Sequence, residues 1–315
     1  MKIVFFGTDG VAVHALRAVA AVHDVVTVVT VPDAPVGRAR TLTESEVAVV
    51  AYELGIFVLK PATLKQNEEL VAALQALHAD LFVVAVYGKI IPENILQIPL
   101  RGCVNIHPSL LPLYRGPAPI RTPLLNGDTE TGVSIMLMDA EMDHGPLLAS
   151  QAVAIEPNDT NVTLTEKLGT MSAPLLLKAV SEYEAGTCTP LPQDHSKATF
   201  THFVKKEDGR IDWNKSAQDI YNMWRAYQPW PGIFTTWNGK LLKISSCIPF
   251  SPSGGDVTAS VTERVPGTVL EGGIVACGEN TYLQILTLQP EGKQIMDMPS
   301  FLNGNKQFIG SVLKK

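Results

Sequence analysis

Three polar side chains are spaced as acyl-transfer chemistry would need them. Asn105 and His107 stand two residues apart in the stretch Asn105-Ile-His-Pro-Ser-Leu-Leu-Pro-Leu-Tyr-Arg-Gly-Pro-Ala-Pro-Ile120, directly after the strand-like Gly102–Val104. Residues i and i+2 of an extended segment share a face, so the carboxamide and the imidazole are expected to point into one cleft. Asp143 follows the strand-like run Gly132–Asp139 in a polar turn that ends at Gly145. An amide N–H can donate to a developing oxyanion, an imidazole moves protons near neutral pH, and a carboxylate orients the imidazole and balances its charge. Such a set can pass an acyl group to an amine with no nucleophilic Ser or Cys. Each residue also has a plainer reading: Asn-x-His as a structural hydrogen-bonding pair, Asp143 as a turn or cap residue, Arg115 as a loop tie rather than a ligand. His144 reads as a solvent-facing neighbour, and Trp224, Trp230 and Trp237 read as packing residues.

The elements that must hold these groups are legible in outline. Lys2–Gly7, Val25–Thr30, Ile56–Leu59, Leu81–Tyr87 and Val133–Met138 are short β-branched runs. Between them Val11–Ala21 and Glu68–His78 carry apolar residues at helical spacing. That alternation predicts βαβ units and an α/β, doubly wound, mostly parallel Rossmann-like sheet. Ligands of such sheets sit beyond the carboxyl ends of the strands, where residues 105 and 107 fall. The turn Gly7-Thr8-Asp9-Gly10 lacks the full dinucleotide fingerprint, so no nucleotide site is expected there. Prolines and polar residues from 189 to 205 suit a linker between a catalytic domain, 1–188, and a second domain, 206–315. In the second domain Ser216–Arg225 looks helical. It is followed by the short runs Ile233–Trp237, Leu241–Ser245, Gly267–Leu270, Gly273–Cys277 and Tyr282–Leu288, parted by Asn-Gly, Gly-Gly and Pro-Gly turns. A smaller C-terminal β-barrel of OB-like kind is the economical closure.

The chain has 315 residues, 46% hydrophobic and 18% charged, which suits two packed domains and excludes a disordered or fibrous chain. Cys103, Cys188, Cys247 and Cys277 are too scattered for a zinc site or a disulfide scaffold, so no metal is expected. No basic segment followed by an apolar one opens the chain, and no run approaches the roughly 20 apolar residues of a membrane span. A cytoplasmic protein with reduced thiols and no membrane partner is expected, and a monomer. A net charge of −6 argues against a generic nucleic-acid binder and confines any polyanion site to local patches.

The pattern Asn105-x-His107-x-Ser109-Leu110-Leu111-Pro112-x-x-Arg115-Gly116, with Asp143-x-Gly145 downstream, resembles the signature of the folate-dependent formyltransferases. The likeness extends to Asp128-Thr-Glu-Thr-Gly-Val-Ser-Ile, Gln228-Pro-Trp-Pro-Gly and Leu288-Gln-Pro-Glu-Gly-Lys293, and so covers most of the chain. It is strongest to those members that act on charged initiator tRNA. The resemblance implies 10-formyltetrahydrofolate as donor, the α-amine of tRNA-bound methionine as acceptor, and Asn105, His107 and Asp143 as catalytic groups. It also implies a folate slot lined by Tyr87, Gly88, Lys89, Ile90 and Ile91 and by Ser109, Leu110, Leu111 and Pro112. Contacts to tRNA would come from Arg38 and Arg40 in one loop, and from Lys205, Lys206 and Arg210 at the start of the second domain. The alternative within the family is an acceptor that is a nucleotide-linked amino sugar; the full second domain and the Pro35-Val-Gly-Arg38 loop favour tRNA. A non-catalytic folate- or RNA-binding protein would not need the intact Asn, His and Asp set.

Overall fold

A computed structural model describes residues 1–36, 41–251 and 264–314. The chain divides into two compact units. The first comprises Met1–Ile120, Glu130–Ile155 and Thr163–His202, and the second Arg121–Thr129, Glu156–Val162 and Phe203–Lys315.

The strands up to Ala154 are β1 (Lys2–Gly7), β2 (Asp24–Val29), β3 (Ala34–Val36), β4 (Thr41–Thr43), β5 (Val58–Leu59), β6 (Leu81–Ala85), β7 (Cys103–His107), β8 (Glu130–Leu137) and β9 (Leu147–Ala154). The helices to that point are α1 (Val11–Val22), α2 (Glu46–Glu53), α3 (Glu68–Ala76), α4 (Glu93–Leu96) and α5 (Arg121–Asn126), and the long α6 (Asn161–Glu184) follows. Seven strands form one sheet in the order β5-β2-β1-β6-β7-β8-β9, parallel from β5 to β7 and antiparallel for β8 and β9. The predicted α/β sheet is therefore present, with β7 at the seam where its sense changes. Ile3 to Phe6 and Leu81 to Val83 are sealed from solvent, as befits parallel strands buried on both faces. Phe6 meets Phe82 and Tyr87 at ring centroids of 5.3 and 5.5 Å in a core that includes Ile91, Ile95 and Cys103. Burial pushes the Cys103 thiol up to about 12, which leaves it a small apolar filler.

Strands β3 and β4 form a separate hairpin whose two feet are clipped together. Lys60 Nζ lies 2.6 Å from Asp33 Oδ1, just before β3, and 2.6 Å from Glu44 Oε1, just after β4. Burial opposes the charge on Lys60, but its hydrogen bonds to Asp33 and Glu44 outweigh that and push the ammonium above the ordinary lysine range. The contribution of the raised ammonium is thus fully present at neutral pH and is lost in strong base, as pH rises through that raised value. Lys60→Met would leave two carboxylates facing each other. We expect a loss of about 1 kcal/mol and a melting temperature lower by roughly 2–4 °C at low salt, with the difference shrinking at high salt. An unchanged melting curve at low salt would show that the hairpin is held by other contacts.

In the second unit α7 (Ala217–Ala226) starts at Ser216, whose hydroxyl accepts from Asp219 N, and buries Ile220, Met223 and Ala226. Strands β10 (Ile233–Trp237), β11 (Lys240–Phe250), β12 (Ile274–Ala276), β13 (Tyr282–Pro290) and β14 (Met296–Asp297) are followed by α8 (Met298–Gly304). They form an antiparallel sheet, β10-β11-β13-β12 with β14 on β13. The β10–β11 hairpin turns on Asn238 and Gly239, both at positive φ, as the Asn-Gly signal predicts. The expected strand Gly267–Leu270 is no continuous ladder. Gly267, Gly272 and Gly273 at positive φ break the extended run, and Thr268 and Val269 pair only through isolated bridges. Trp224 and Trp237 pack as expected, whereas Trp230 is half exposed.

Candidate active site

Strand β7 carries the first two residues of interest, and its neighbours fix their direction. Asn105 pairs in register with Val84 on β6 and Met136 on β8, and His107 pairs with Ser134 on β8. Both side chains therefore issue from one face, and both are buried, at 8% and 4% exposure. The loop joining β8 to β9 folds back so that Asp143 Oδ1 lies 3.5 Å from His107 Nδ1. The other carboxylate oxygen, Oδ2, accepts a hydrogen bond from Gly116 N at 2.7 Å. His107 Nε2 lies 3.0 Å from the Tyr114 carbonyl oxygen. A carbonyl can only accept, so Nε2 carries a hydrogen in this arrangement. With a carboxylate at the opposite nitrogen, both ring nitrogens face acceptors, and the imidazolium satisfies both. The Asn105 carboxamide takes no hydrogen-bond partner among the described residues, so its donors are free for a ligand.

The loop after β7 is strapped from within and from afar. Ser109 Oγ donates to the Leu113 carbonyl at 2.6 Å, and Ser134 Oγ donates to the Ser109 carbonyl while accepting from Leu111 N. Thr199 Oγ1 accepts from Tyr114 N, Arg115 N donates to the Thr199 carbonyl, and Thr201 N donates to the Arg115 carbonyl. Residues 189–202, whose composition reads as a linker, thus lie along the first unit as an extended strap, with Leu191 and Leu147 exchanging backbone hydrogen bonds. Prolines and polar residues suit an edge-paired segment as well as a tether.

The Arg115 guanidinium is buried and is a tie rather than a surface ligand. Its Nη2 lies 2.7 Å from Gln193 Oε1 and 2.8 Å from His195 Nδ1. The Gln193 carboxamide in turn donates to the carbonyls of Asp143, at 2.9 Å, and Gly145, at 2.7 Å. His144 is not the solvent-facing residue expected. Its Nδ1 sits 2.7 Å from Asp139 Oδ2, and its ring stacks on His195 at 4.0 Å and an interplanar angle of 3°. Gln193, His195, Thr199 and Thr201 have no sequence signal, because their contacts are made across gaps of 48 to 86 residues.

The residues expected to line a folate slot separate into two groups. Ser109, Leu110, Leu111 and Pro112 belong to the strapped loop, and Ser109 and Leu111 are buried. In the loop after β6, Tyr87 and Ile91 are core residues, while Ile90 is 81% exposed. Among the described residues the Tyr87 hydroxyl has no partner, and burial pushes its phenol up to about 12. Gly88 adopts φ 74° with open space where a side chain would be, and Lys89 Nζ donates to the carbonyls of Pro61 and Ala62. Because β6 and β7 are parallel neighbours, this loop and the one after β7 leave the sheet at the same end.

Of the residues expected to meet tRNA, Arg38 and Arg40 lie outside the described residues. Lys205 and Lys206 are exposed at the start of the second unit, while Arg210 is half-buried with its guanidinium 5.1 Å from the Phe234 ring centroid. Arg210 also lines a cavity of about 590 Å³ with Glu207, Asp208, Asp212 and Lys215, so charge there is mixed. Among the described residues no cluster of three or more His, Cys, Asp or Glu is placed to hold a metal, and no helix is long and apolar enough to cross a membrane.

Residues 1–180 match the formyl transferase family, and residues 204–306 match the formyl transferase C-terminal domain. The chain is 45% identical over 309 residues to a methionyl-tRNA formyltransferase of Roseiflexus sp., covering 96% of this chain and 92% of that one. It is 40% identical to the methionyl-tRNA formyltransferase of Caldanaerobacter subterraneus subsp. tengcongensis over the whole of both chains. Among solved structures, WlaRD, a sugar 3N-formyl transferase crystallised in the presence of dTDP and 5-N-formyl-THF, matches at a TM-score of 0.63. Its identity is 20%, with 93% of this chain and 99% of that one covered, which speaks for the fold alone.

Proposed function

The chain belongs to the formyl transferase family, and we propose that within it this protein moves the formyl group of 10-formyltetrahydrofolate to the α-amine of methionine on charged initiator tRNA, yielding formyl-methionyl-tRNA for translation initiation. Full-length identity of 40–45% to methionyl-tRNA formyltransferases supports the acceptor, whereas sugar formyltransferases are related only at the level of fold. We place this reaction in the cytoplasm.

The observation that carries the chemistry is buried His107 paired with half-buried Asp143, with an Asn105 carboxamide on the same strand face as His107 that is unbonded among the described residues. An aminoacyl α-amine titrates near about pH 7–8, so free base is plentiful. Its lone pair attacks the formyl carbon. The new C–N bond turns the carbonyl oxygen into an oxyanion, which is stabilised by the carboxamide N–H of Asn105 and by the Nε2–H of His107, transferred from the Tyr114 carbonyl to the stronger acceptor as the charge develops. The nitrogen that attacked gives up a proton, Asp143 and His107 relay it, and N10 of the folate receives it as the old C–N bond breaks. The loops at 87–91 and 109–112 would form the walls of the folate slot. Arg38, Arg40, Lys205, Lys206 and Arg210 would supply local positive charge for the tRNA backbone. We read the C-terminal sheet as a small barrel. Backbone hydrogen bonds from Val269 to Ser311, from Leu313 to Gly267 and between Thr236 and Lys314 favour its closure through the last residues.

The purified protein with 10-formyltetrahydrofolate should formylate charged initiator methionyl-tRNA and leave a dTDP-linked amino sugar untouched. Formylation of the sugar alone would overturn the acceptor.

A further inference from the structure

We propose that Gln193, held by Arg115, is a positioning residue that sets the catalytic geometry of Asp143. The inference rests on the formyl-transfer reading above. Asp143 adopts φ 51°, in the left-handed region that a non-glycine residue holds only when its surroundings support it. Something must hold it there. Its side chain is fixed by Gly116 N, and its backbone by Gln193, whose Nε2 reaches the carbonyls on both sides of His144.

The carboxamide of Gln193 is oriented without ambiguity. An amide nitrogen has two hydrogens, and both are spent on the Asp143 and Gly145 carbonyls; the amide oxygen accepts from the Arg115 guanidinium. Exchanging oxygen and nitrogen would set an oxygen against two carbonyls and N–H groups against a guanidinium, which has no acceptor. Gln193 is 6% exposed and Arg115 4%, so water cannot readily replace either partner. Arg115 precedes Gly116, the donor to Asp143 Oδ2, so one dipeptide holds the carboxylate directly and its backbone through Gln193. His195 accepts from the same guanidinium nitrogen through Nδ1, which fixes the plane of the fork. The hydrogen bonds of Gln193 and of Arg115 Nη2 thus run to the segment that aims Asp143 at His107 and to His195, whose ring stacks on His144.

Gln193→Glu tests the idea because it keeps shape and gives Arg115 an ion pair while setting carboxylate oxygens against the two carbonyls. We expect kcat for formyl transfer to charged tRNA to fall by about tenfold to a hundredfold, with KM for both substrates within about twofold, as misaiming a catalytic group should do. Gln193→Ala should show a similar fall in kcat with the same small change in KM. A kcat per folded enzyme within about twofold of wild type in both variants, whatever their melting temperatures, overturns the proposal. If Gln193→Glu does not fold, Gln193→Ala carries the same criterion. Wild-type protein assayed alongside separates the two readings, since an inactive wild type refutes the function and an active one with active variants refutes only the role of Gln193.

Discussion

His107→Ala should reduce kcat for formyl transfer by about a thousandfold or more while the protein still melts cooperatively. Two losses coincide in that one change. An oxyanion donor is typically worth about a hundredfold to a thousandfold, and a proton-transfer group about a hundredfold to ten-thousandfold. The two are not additive, because one ring supplies both. KM for folate and for charged tRNA should move little, since the imidazole is 4% exposed and its two nitrogens are engaged with Asp143 and Tyr114. The measurement is single-turnover formylation with enzyme in excess. A rate within tenfold of wild type would remove His107 from the reaction.

Asp143→Asn is the complementary change, and its expected cost is about a hundredfold to a thousandfold in kcat. The amide keeps the volume and can still accept from Gly116 N, so the loop should survive. What disappears is the negative charge 3.5 Å from His107 Nδ1. If Asp143 acts through the imidazole, the same substitution made in the His107→Ala background should cost less than about threefold further. Independent, multiplying losses would show that Asp143 works on the substrate directly and that its pairing with His107 is incidental.

Asn105 and His107 were readable because a strand alternates its faces: two polar residues with one apolar residue between them must emerge together if the segment is a buried strand, and β7 is. β1 was readable for a related reason, since an unbroken apolar run bounded by glycine has few other homes. The carboxylate of Asp143 was readable as one that a polar turn could deliver beside the same cleft, and its catalytic role by resemblance. Its meeting with His107 depends on how the loop between β8 and β9 folds back, which no local pattern encodes. Helix α6 was not anticipated although it spans 24 residues, because Pro174 interrupts it and its buried Leu164, Leu168, Leu175 and Leu176 are diluted by polar neighbours. No local pattern marks Lys60, since what distinguishes it is the meeting of Asp33 and Glu44 from the two ends of a hairpin. The acceptor was legible only by resemblance, because the basic residues concerned are few and those described at the start of the second unit share their surroundings with Glu207, Asp208 and Asp212.

The strap from Leu191 to Thr201 has a practical meaning for anyone who wishes to divide this protein. A chain shortened after the last residue of α6 would retain the whole seven-stranded sheet and all three reacting side chains, and would pass for an intact catalytic half. It would nevertheless lack the partners that hold Tyr114, Arg115 and the backbone of Asp143. The smallest excised piece worth preparing extends through Thr201. Where sequence composition would invite the scissors, the molecule keeps part of its working machinery.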